Sequence, residues 1–402
     1  MLSTLEGKMY NKKTIKNTNI LVIDGDRGKN YPQQRDFSDD DYCLFLNAKN
    51  VTSDGFVFDQ KMFISKEKDE NLKKGKLSRY DLVLTTRGTV GNVAYYDDSV
   101  RFNNVRINSG MVILRCDPKE FDSEFLYYQL QSNYVQRQIS QIKTGSAQPQ
   151  LPIKLLNEIC VIIPPLPIQK EVAKKIKTIT HKRKNNLEEI QLLEQILLVN
   201  YNKTFSNNVQ WVNSNVYNEV CETKIKNKEN KDYPVLSVVK EGEFKASEDV
   251  FTKQVYSKST KNYKIVRRNQ VAYNPARANI GSIAMLKEYD VGLVSPIYTV
   301  FEMKDMITPT FFYYYMKQPI FQEMIKHHAI GTTRQNFPFE AFKMFPMVVP
   351  PMELQLKFEE IAKPIEQKIA KLKEENEVLA EIRDTLLPKL MSGELSVEAG
   401  EN

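Results

Sequence analysis

Apolar positions along this chain fall into two kinds of run. Short β-branched stretches such as Leu82 to Thr85 and Met111 to Leu114 have the length and residue types of buried strands. Elsewhere, apolar residues recur at helical spacing in polar surroundings. After Pro167, Val172, Ile176, Ile179, Leu187, Ile190, Leu193 and Leu197 form one such stripe. Phe358, Ile361, Ile365, Leu372, Leu379, Ile382 and Leu386 form another, on a single 3-4 alternation whose gaps hold Lys368 and Glu375. That alternation is a heptad seam. Each seam runs for about 30 residues, or ~45 Å at 1.5 Å per residue, which exceeds the face of one small domain. The pattern therefore predicts two helices that bury their stripes on each other as an antiparallel pair.

The chain also repeats itself. Residues 122 to 169 lie over residues 308 to 355 without a gap, a shift of 186. Phe125, Tyr127 and Tyr128 fall on Phe311, Tyr313 and Tyr314, Gly145 on Gly331, and Pro152 on Pro338. Val161 to Pro165, followed by Gln169, falls on Met347 to Pro351, followed by Gln355, and each copy reads as a buried strand, a proline pair and a helix start. Upstream, Arg87 to Ala94 resembles Arg277 to Ala284 at a shift of 190, the difference being absorbed in a loop. The order is globule, helix, globule, helix. This predicts an α+β fold of two similar mixed α/β globules joined by two long antiparallel coiled-coil helices, an internal pseudo-two-fold repeat. The expected boundaries are 1–152 and 207–338 for the globules, and 153–206 and 339–402 for the strand, Pro-Pro turn and spacer helix that follow each. The second copy has a lead-in bearing Trp211, whereas the first is expected to start abruptly at Met1 without one.

Composition narrows the function. With 402 residues and 41% hydrophobic content the chain can build a core in each globule. A net charge of +7 suits a polyanionic partner without demanding one. Cys43, Cys116, Cys160 and Cys221 lie far apart, with no C-x-x-C pair and no zinc-finger histidine spacing, which fits thiols of a cytoplasmic protein and no metal site. No stretch has the length and apolarity of a membrane helix.

Several segments carry a family resemblance: Leu386 to Leu395 at the end of the second helix, the two Pro-Pro helix starts, and Asn274 to Ile283. Asp24 to Pro32 and Thr85 to Asn92 add to it. In this order, twice over, they resemble the specificity subunit of type I restriction-modification systems, across nearly the whole chain. The resemblance implies two target recognition domains that each read one half of a split site in double-stranded DNA. It implies helical regions that space those domains and bind two modification subunits, with restriction subunits joining through the complex. S-adenosylmethionine, ATP and Mg²⁺ would then be used by the partner chains, and this chain would have no catalytic residues. The first helix ends in Tyr201 to Asn207, where the second has Leu-Pro-Lys-Leu-Met-Ser-Gly, so the two ends are expected to differ in partner contacts.

Candidate DNA contacts follow from side-chain chemistry. Arg27, Lys29, Asn30 and Tyr31 place phosphate charge, base-edge hydrogen bonding and a stacking ring in one glycine-punctuated loop, with Asp24 and Asp26 able to balance that charge in an ordinary solvated turn. Asn47 and Lys49 offer the same chemistry. Arg87 with Thr89, and Arg277 with Asn279, follow strands and precede Gly91 and Gly281, a position equally suited to a shared structural ion pair. Lys143, Ser146, Gln148 and Gln150, and Thr332, Thr333, Arg334, Gln335 and Asn336, supply amides, hydroxyls and a guanidinium on irregular backbone. Lys258 and Lys261, with Lys264, Arg267 and Arg268, and the run Lys73, Lys74, Lys76 and Arg79, read as solvated basic faces able to touch phosphate.

Two segments point toward catalysis. Asn274-Pro275-Ala276-Arg277 resembles the Asn-Pro-Pro-aromatic motif of amino-methyltransferases but lacks the second proline and the aromatic. Asp232 with Glu243-Phe244-Lys245 has the loose spacing of a nuclease Mg²⁺ site, a triplet common by chance in a chain with 27% charged residues. No Gly-Lys-Ser/Thr phosphate loop is present. The alternatives to a DNA-reading subunit are a DNA-independent coiled-coil adaptor and an autonomous methyltransferase or nuclease.

Overall fold

The computed structural model describes residues 10–145, 148–206, 211–250, 259–329, 336–392 and 394. The chain divides into two compact units, Met1–Asn186 with Glu374–Asn402, and Leu187–Lys373.

In the first unit, the strongly apolar stretches found in the sequence become the centre of a four-stranded antiparallel sheet. Its order is Leu21–Asp24, Met111–Arg115, Leu82–Thr85, Val93–Tyr95. Leu82–Thr85 is buried at every position because the sheet is covered on both faces. Leu82, Leu84, Val112 and Leu114 pack with Leu126, Leu130, Val135 and Ile139 of the helices Ser123–Gln131 and Asn133–Ile142. The alternate residues Val83, Ala94 and Ile113 pack with Leu44, Leu46 and Val105 of a second, three-stranded sheet. In that sheet Cys43–Leu46 runs parallel to Val105–Ile107 and antiparallel to Phe63–Ile64.

The second unit repeats the plan. Its four-stranded sheet has the order Val220–Thr223, Thr299–Met303, Val271–Tyr273, Ile283–Met285. Helices Pro309–Met316 and Pro319–His328 follow, as their counterparts do in the first unit. The side chains of Asp122 and Thr308 cap the first helix of each pair by accepting from the N–H of Phe125 (2.9 Å) and Phe311 (3.1 Å). The copies diverge in the remaining strands. Where the first unit has its three-stranded sheet, the second has two ribbons, Leu236–Val238 with Phe244–Ala246 and Lys264–Arg267 with Val291–Val294.

One expectation is corrected here. The first copy does possess a lead-in strand: Asn11–Thr14 pairs with Cys160–Ile163, Asn11 opposite Ile163, just as Val212–Asn215 pairs with Pro346–Val349, Val212 opposite Val349. Tyr10 therefore occupies the place of Trp211, and it packs against Phe125, Tyr128 and Ile162. The match escaped the sequence because Asn-Lys-Lys-Thr and Val-Asn-Ser-Asn share strand geometry rather than residue type.

The Pro-Pro turns start two long helices, Leu166–Thr204 and Met352–Ser392. A fully buried glutamine locks each start. Gln169 Oε1 accepts from the Asp122 N–H (2.9 Å), and its Nε2 donates to the carbonyls of Glu120 (2.9 Å) and Pro164 (2.8 Å). Gln355 repeats this with the Thr308 N–H (2.8 Å) and the carbonyls of Met306 (3.0 Å) and Pro350 (2.9 Å).

Within each unit, portions of the two helices run antiparallel. In the first, Leu386 and Leu390 pack with Val172, Ala173 and Ile176, and Asn186 meets Asn376. In the second, Ile190, Leu197 and Tyr201 share a core with Phe358, Ala362, Ile369 and Leu372. Val172, Ile176, Ile179, Ile190, Leu193, Leu197, Phe358, Ile365, Leu372, Leu379 and Leu386 all lie buried or half-buried on these faces. Leu187, Ile361 and Ile382 do not; they are 52%, 47% and 36% exposed. The heptad period holds, but one of its two rows lies a residue further on, at Ala362, Ile369, Asn376, Arg383 and Leu390, and Asn186 replaces Leu187 inside. Apolarity favoured Ile361 and Ile382, whereas the packing needs a small residue beside Phe358 and a polar one opposite Asn186.

Candidate nucleic-acid interface

In the first unit the candidate loops meet around a turn that the sequence did not single out, Asn108-Ser109-Gly110. The Asn108 N–H donates to the Leu46 carbonyl (3.1 Å), which holds the turn beside Asn47. The N–H groups of Thr86 and Arg87 donate to the Gly110 carbonyl (2.8 and 3.1 Å). Arg27 Nη2 donates to the Ser109 carbonyl (3.4 Å) and to Asp24 Oδ1 (3.1 Å). A Cβ on Gly25 would come within 2.3 Å of the Asn108 carbonyl oxygen, so glycine is required for this close approach. The Leu151 N–H donates to the Thr86 carbonyl (2.9 Å), and Thr144 and Gln150 exchange backbone bonds, which brings Thr144 and Gln150 alongside Arg87. Strand ends and an Asn-Ser-Gly turn signal were present in the sequence, but their convergence is a product of topology.

The side chains in this cluster divide by role. Arg27, Lys29, Lys49, Arg87, Thr89, Lys143, Gln148 and Gln150 are exposed. Asn47, by contrast, works as a cap, accepting from the Lys49 N–H (2.8 Å). Asn30 donates to the Asn71 carbonyl (3.3 Å). Tyr31 is half-buried edge-on to Phe45, and its hydroxyl accepts from the Ser109 N–H (3.4 Å), so the ring supports the turn. Ser146 lies outside the described residues. Asp26 serves the backbone: burial opposes its charge, but N–H groups of Gly28, Lys73 and Lys74 and the nearby Arg106 charge outweigh that, holding the carboxyl below its ordinary value.

The corresponding place in the second unit is a cleft of about 470 Å³ whose lining includes Asn274, Arg277, Ile280, Ser282 and Ile297. Arg277 opens a short 3-10 turn, Ala278–Ile280, closed by Gly281 at φ 97°, matching Gly91 at φ 101° in the first unit. The Phe337 N–H donates to the Pro275 carbonyl (2.9 Å), which places exposed Asn336 beside this loop, as Gln150 is placed beside Arg87. Asn279 is half-buried and Lys261 exposed. Lys258, Thr332, Thr333, Arg334 and Gln335 lie outside the described residues. Among the described residues neither Arg87 nor Arg277 makes an ion pair, and both guanidinium-bearing side chains are exposed.

Part of the basic runs is scaffold rather than solvated face. Arg79 donates to the carbonyls of Asp97 and Val100 (2.8 Å each) and stacks on Tyr96. Lys76 and buried Arg106 both pair with buried Asp69, Lys264 donates to the Tyr298 carbonyl (2.5 Å), and Arg268 pairs with Asp290 (2.9 Å). Of the two segments that pointed toward catalysis, Asn274 folds back on its own loop to accept from the Ala276 N–H (3.1 Å), and Glu243 faces Lys373 (3.8 Å). The four cysteines are free, and burial pushes the Cys43 and Cys116 thiols up to about 12. Among the described residues no helix is long and apolar enough to cross a membrane.

Comparison with known proteins agrees with the duplicated architecture. Residues 9–198 and again 208–382 match the family described as the type I restriction modification DNA specificity domain. The type I restriction enzyme MjaIX specificity subunit of Methanocaldococcus jannaschii is 24% identical over 347 residues, covering 79% of this chain and 78% of that protein. Among solved structures, the type I restriction-modification S subunit from M. genitalium superposes with a TM-score of 0.59 at 18% identity, covering 96% and 97% of the two chains. A chain from a study of complex assembly and conformational transition of the type I R-M system gives 0.50 at 14% identity, covering 96% and 99%.

Proposed function

Because this chain belongs to the type I restriction-modification DNA specificity family, we propose that it is the non-catalytic, sequence-reading subunit of a complex that methylates and cleaves DNA. Each unit reads one half of a bipartite, asymmetric duplex site, and the long helices set the gap. The observation that carries this reading is the repeated convergence of loops. In both units the segment after the third strand of the sheet, bearing Arg87 or Arg277, lies hydrogen-bonded beside the segment that precedes the long-helix region. Exposed guanidinium, amide and hydroxyl groups on one site supply phosphate positioning and base-edge readout together.

The helices support a partner-binding role. Leu192 and Ile196 are 60% and 47% exposed, and at the repeat shift of 186 they fall on Val378 and Ile382, also exposed. An outward apolar pair on each helix suits two modification subunits, one per pair. Methyl transfer with S-adenosylmethionine, and ATP- and Mg²⁺-dependent cleavage, belong in this reading to the modification and restriction subunits.

Selection of duplexes from a random pool by the full chain, with retention measured over a salt series, tests the proposal. Two fixed base blocks separated by a constant gap are expected, with retention falling steeply as salt rises. Exchanging one globule for another should change one block alone. No retention at low ionic strength would establish an adaptor instead, and methyl transfer or cleavage by the pure chain would overturn the non-catalytic assignment.

A further inference from the structure

Two isoleucines stand exposed on the rim of the second unit's cleft, Ile280 at 53% and Ile297 at 63%. Both belong to the loops that converge there. Ile280 ends the 3-10 turn begun by Arg277, and Ile297 lies in the turn before strand Thr299–Met303. The first unit has no such pair. Ala272 pairs with Ala284 and Val300 as Val83 pairs with Ala94 and Ile113, so Ile297, three residues before Val300, corresponds to Gly110. Ile280 corresponds to Val90 in the Arg87 to Ala94 match, and Val90 is half-buried against its own core. The equivalent positions are therefore a glycine and a covered valine in one unit and two open isoleucines in the other.

The partner of such a rim has to be apolar at two points and anionic beside them, because Arg277 shares the cleft. A duplex major groove meets that description where it carries thymine, whose 5-methyl is the one apolar group on the base edges and is flanked by phosphate. Resting on the DNA-reading function above, we infer that the second unit reads thymine 5-methyl groups through Ile280 and Ile297, while the first reads its half-site by polar contacts.

The test uses the full chain and the duplexes it selects, resynthesised with deoxyuridine in place of thymidine, so that the 5-methyl groups alone are removed. One of the two selected blocks should contain fixed A·T pairs, and wild type should hold the thymidine duplexes about fourfold more tightly per contacted methyl. Ile280→Ser with Ile297→Ser should remove that preference at unchanged melting temperature, and Ile297→Val should keep it. Equal affinity of wild type for both duplex sets would overturn the inference. So would a double serine variant that retains the wild-type ratio, since the isoleucines would then face a protein. Failure of wild type to retain any duplex at low salt would overturn the DNA-reading function itself.

Discussion

A buried polar layer in the first unit gives a sharp energetic test of the helix pair. Asn186 is 1% exposed, and its Nδ2 donates to Glu375 Oε2 (2.8 Å) and Asn376 Oδ1 (3.1 Å). Leucine has nearly the shape of asparagine, so substitution changes polarity with little change in volume. Asn186→Leu removes the donor and strands the Asn376 carbonyl oxygen in the seam, a cost of about 1–3 kcal/mol that offsets the apolar gain. Asn376→Leu leaves the Glu375 bond in place and should cost less. The double variant removes the stranded group and buries two leucines, so it should exceed Asn186→Leu by about 3 kcal/mol and match or exceed wild type. At ~2–4 °C per kcal/mol, that separates the double from the single variant by ~6–12 °C. Thermal unfolding followed by circular dichroism at 222 nm measures the order. A double variant less stable than Asn186→Leu would refute the argument. The layer's benefit is then register: a polar pair that must meet itself disfavours slipped pairings of an otherwise apolar seam.

Three further outcomes follow from named contacts. Gln355→Leu leaves the Thr308 N–H and two carbonyls without partners and should lower stability by about 3 kcal/mol in a melt, with Gln355→Glu faring little better because both donated bonds are lost. Asp26, whose carboxyl is held below its ordinary value, contributes order that is complete above about pH 4 and is lost as the pH falls through the lowered value; amide exchange at Lys73 and Lys74 should quicken over that range, and in Asp26→Asn should already be quick at neutral pH. Arg87→Gln should reduce the slope of log affinity against log salt by about 0.9 if the guanidinium meets phosphate, measured by filter retention, and an unchanged slope with altered base preference would move it to a base edge.

The architecture was legible because duplication leaves a signal that one copy alone would not. The gapless match of residues 122–169 with 308–355 marks segments whose structure is dictated twice by the same contacts, as Gln169 and Gln355 show. The seam was legible in period and not in row: adjacent rows differ by one residue, and deciding between Ile361 and Ala362 requires knowing that Phe358 and Tyr201 already crowd that level. Among the site residues, exposure of Arg87 and Arg277 followed from their loop position. The structural use of Tyr31 did not, since its partners Phe45 and Ser109 are brought in by chain reversal, whereas Asn47 caps its own local turn at Lys49. The hub at Asn108 to Gly110 lacked charge and so carried no chemical mark.

The unequal helix ends take on a different meaning from the one their sequences suggest. Tyr201 and Phe205 end the first helix by packing on Phe311, Tyr314 and Phe358 within the second unit. Leu386 and Leu390 end the second helix by packing near Phe125, Tyr128 and Val172 within the first. Both endings therefore face their own unit, and their divergence answers a local difference in volume: where Phe358 begins one helix Val172 begins the other, and the side chains that close against them are matched accordingly. Among the apolar residues the helices show outward, Leu192 with Ile196 and Val378 with Ile382 stayed alike. Selection for two similar partner contacts would act on those outward pairs and leave the buried endings free to drift with their cores. The asymmetry of the converging loops is a separate matter, with Gly110 in one unit where Ile297 stands in the other.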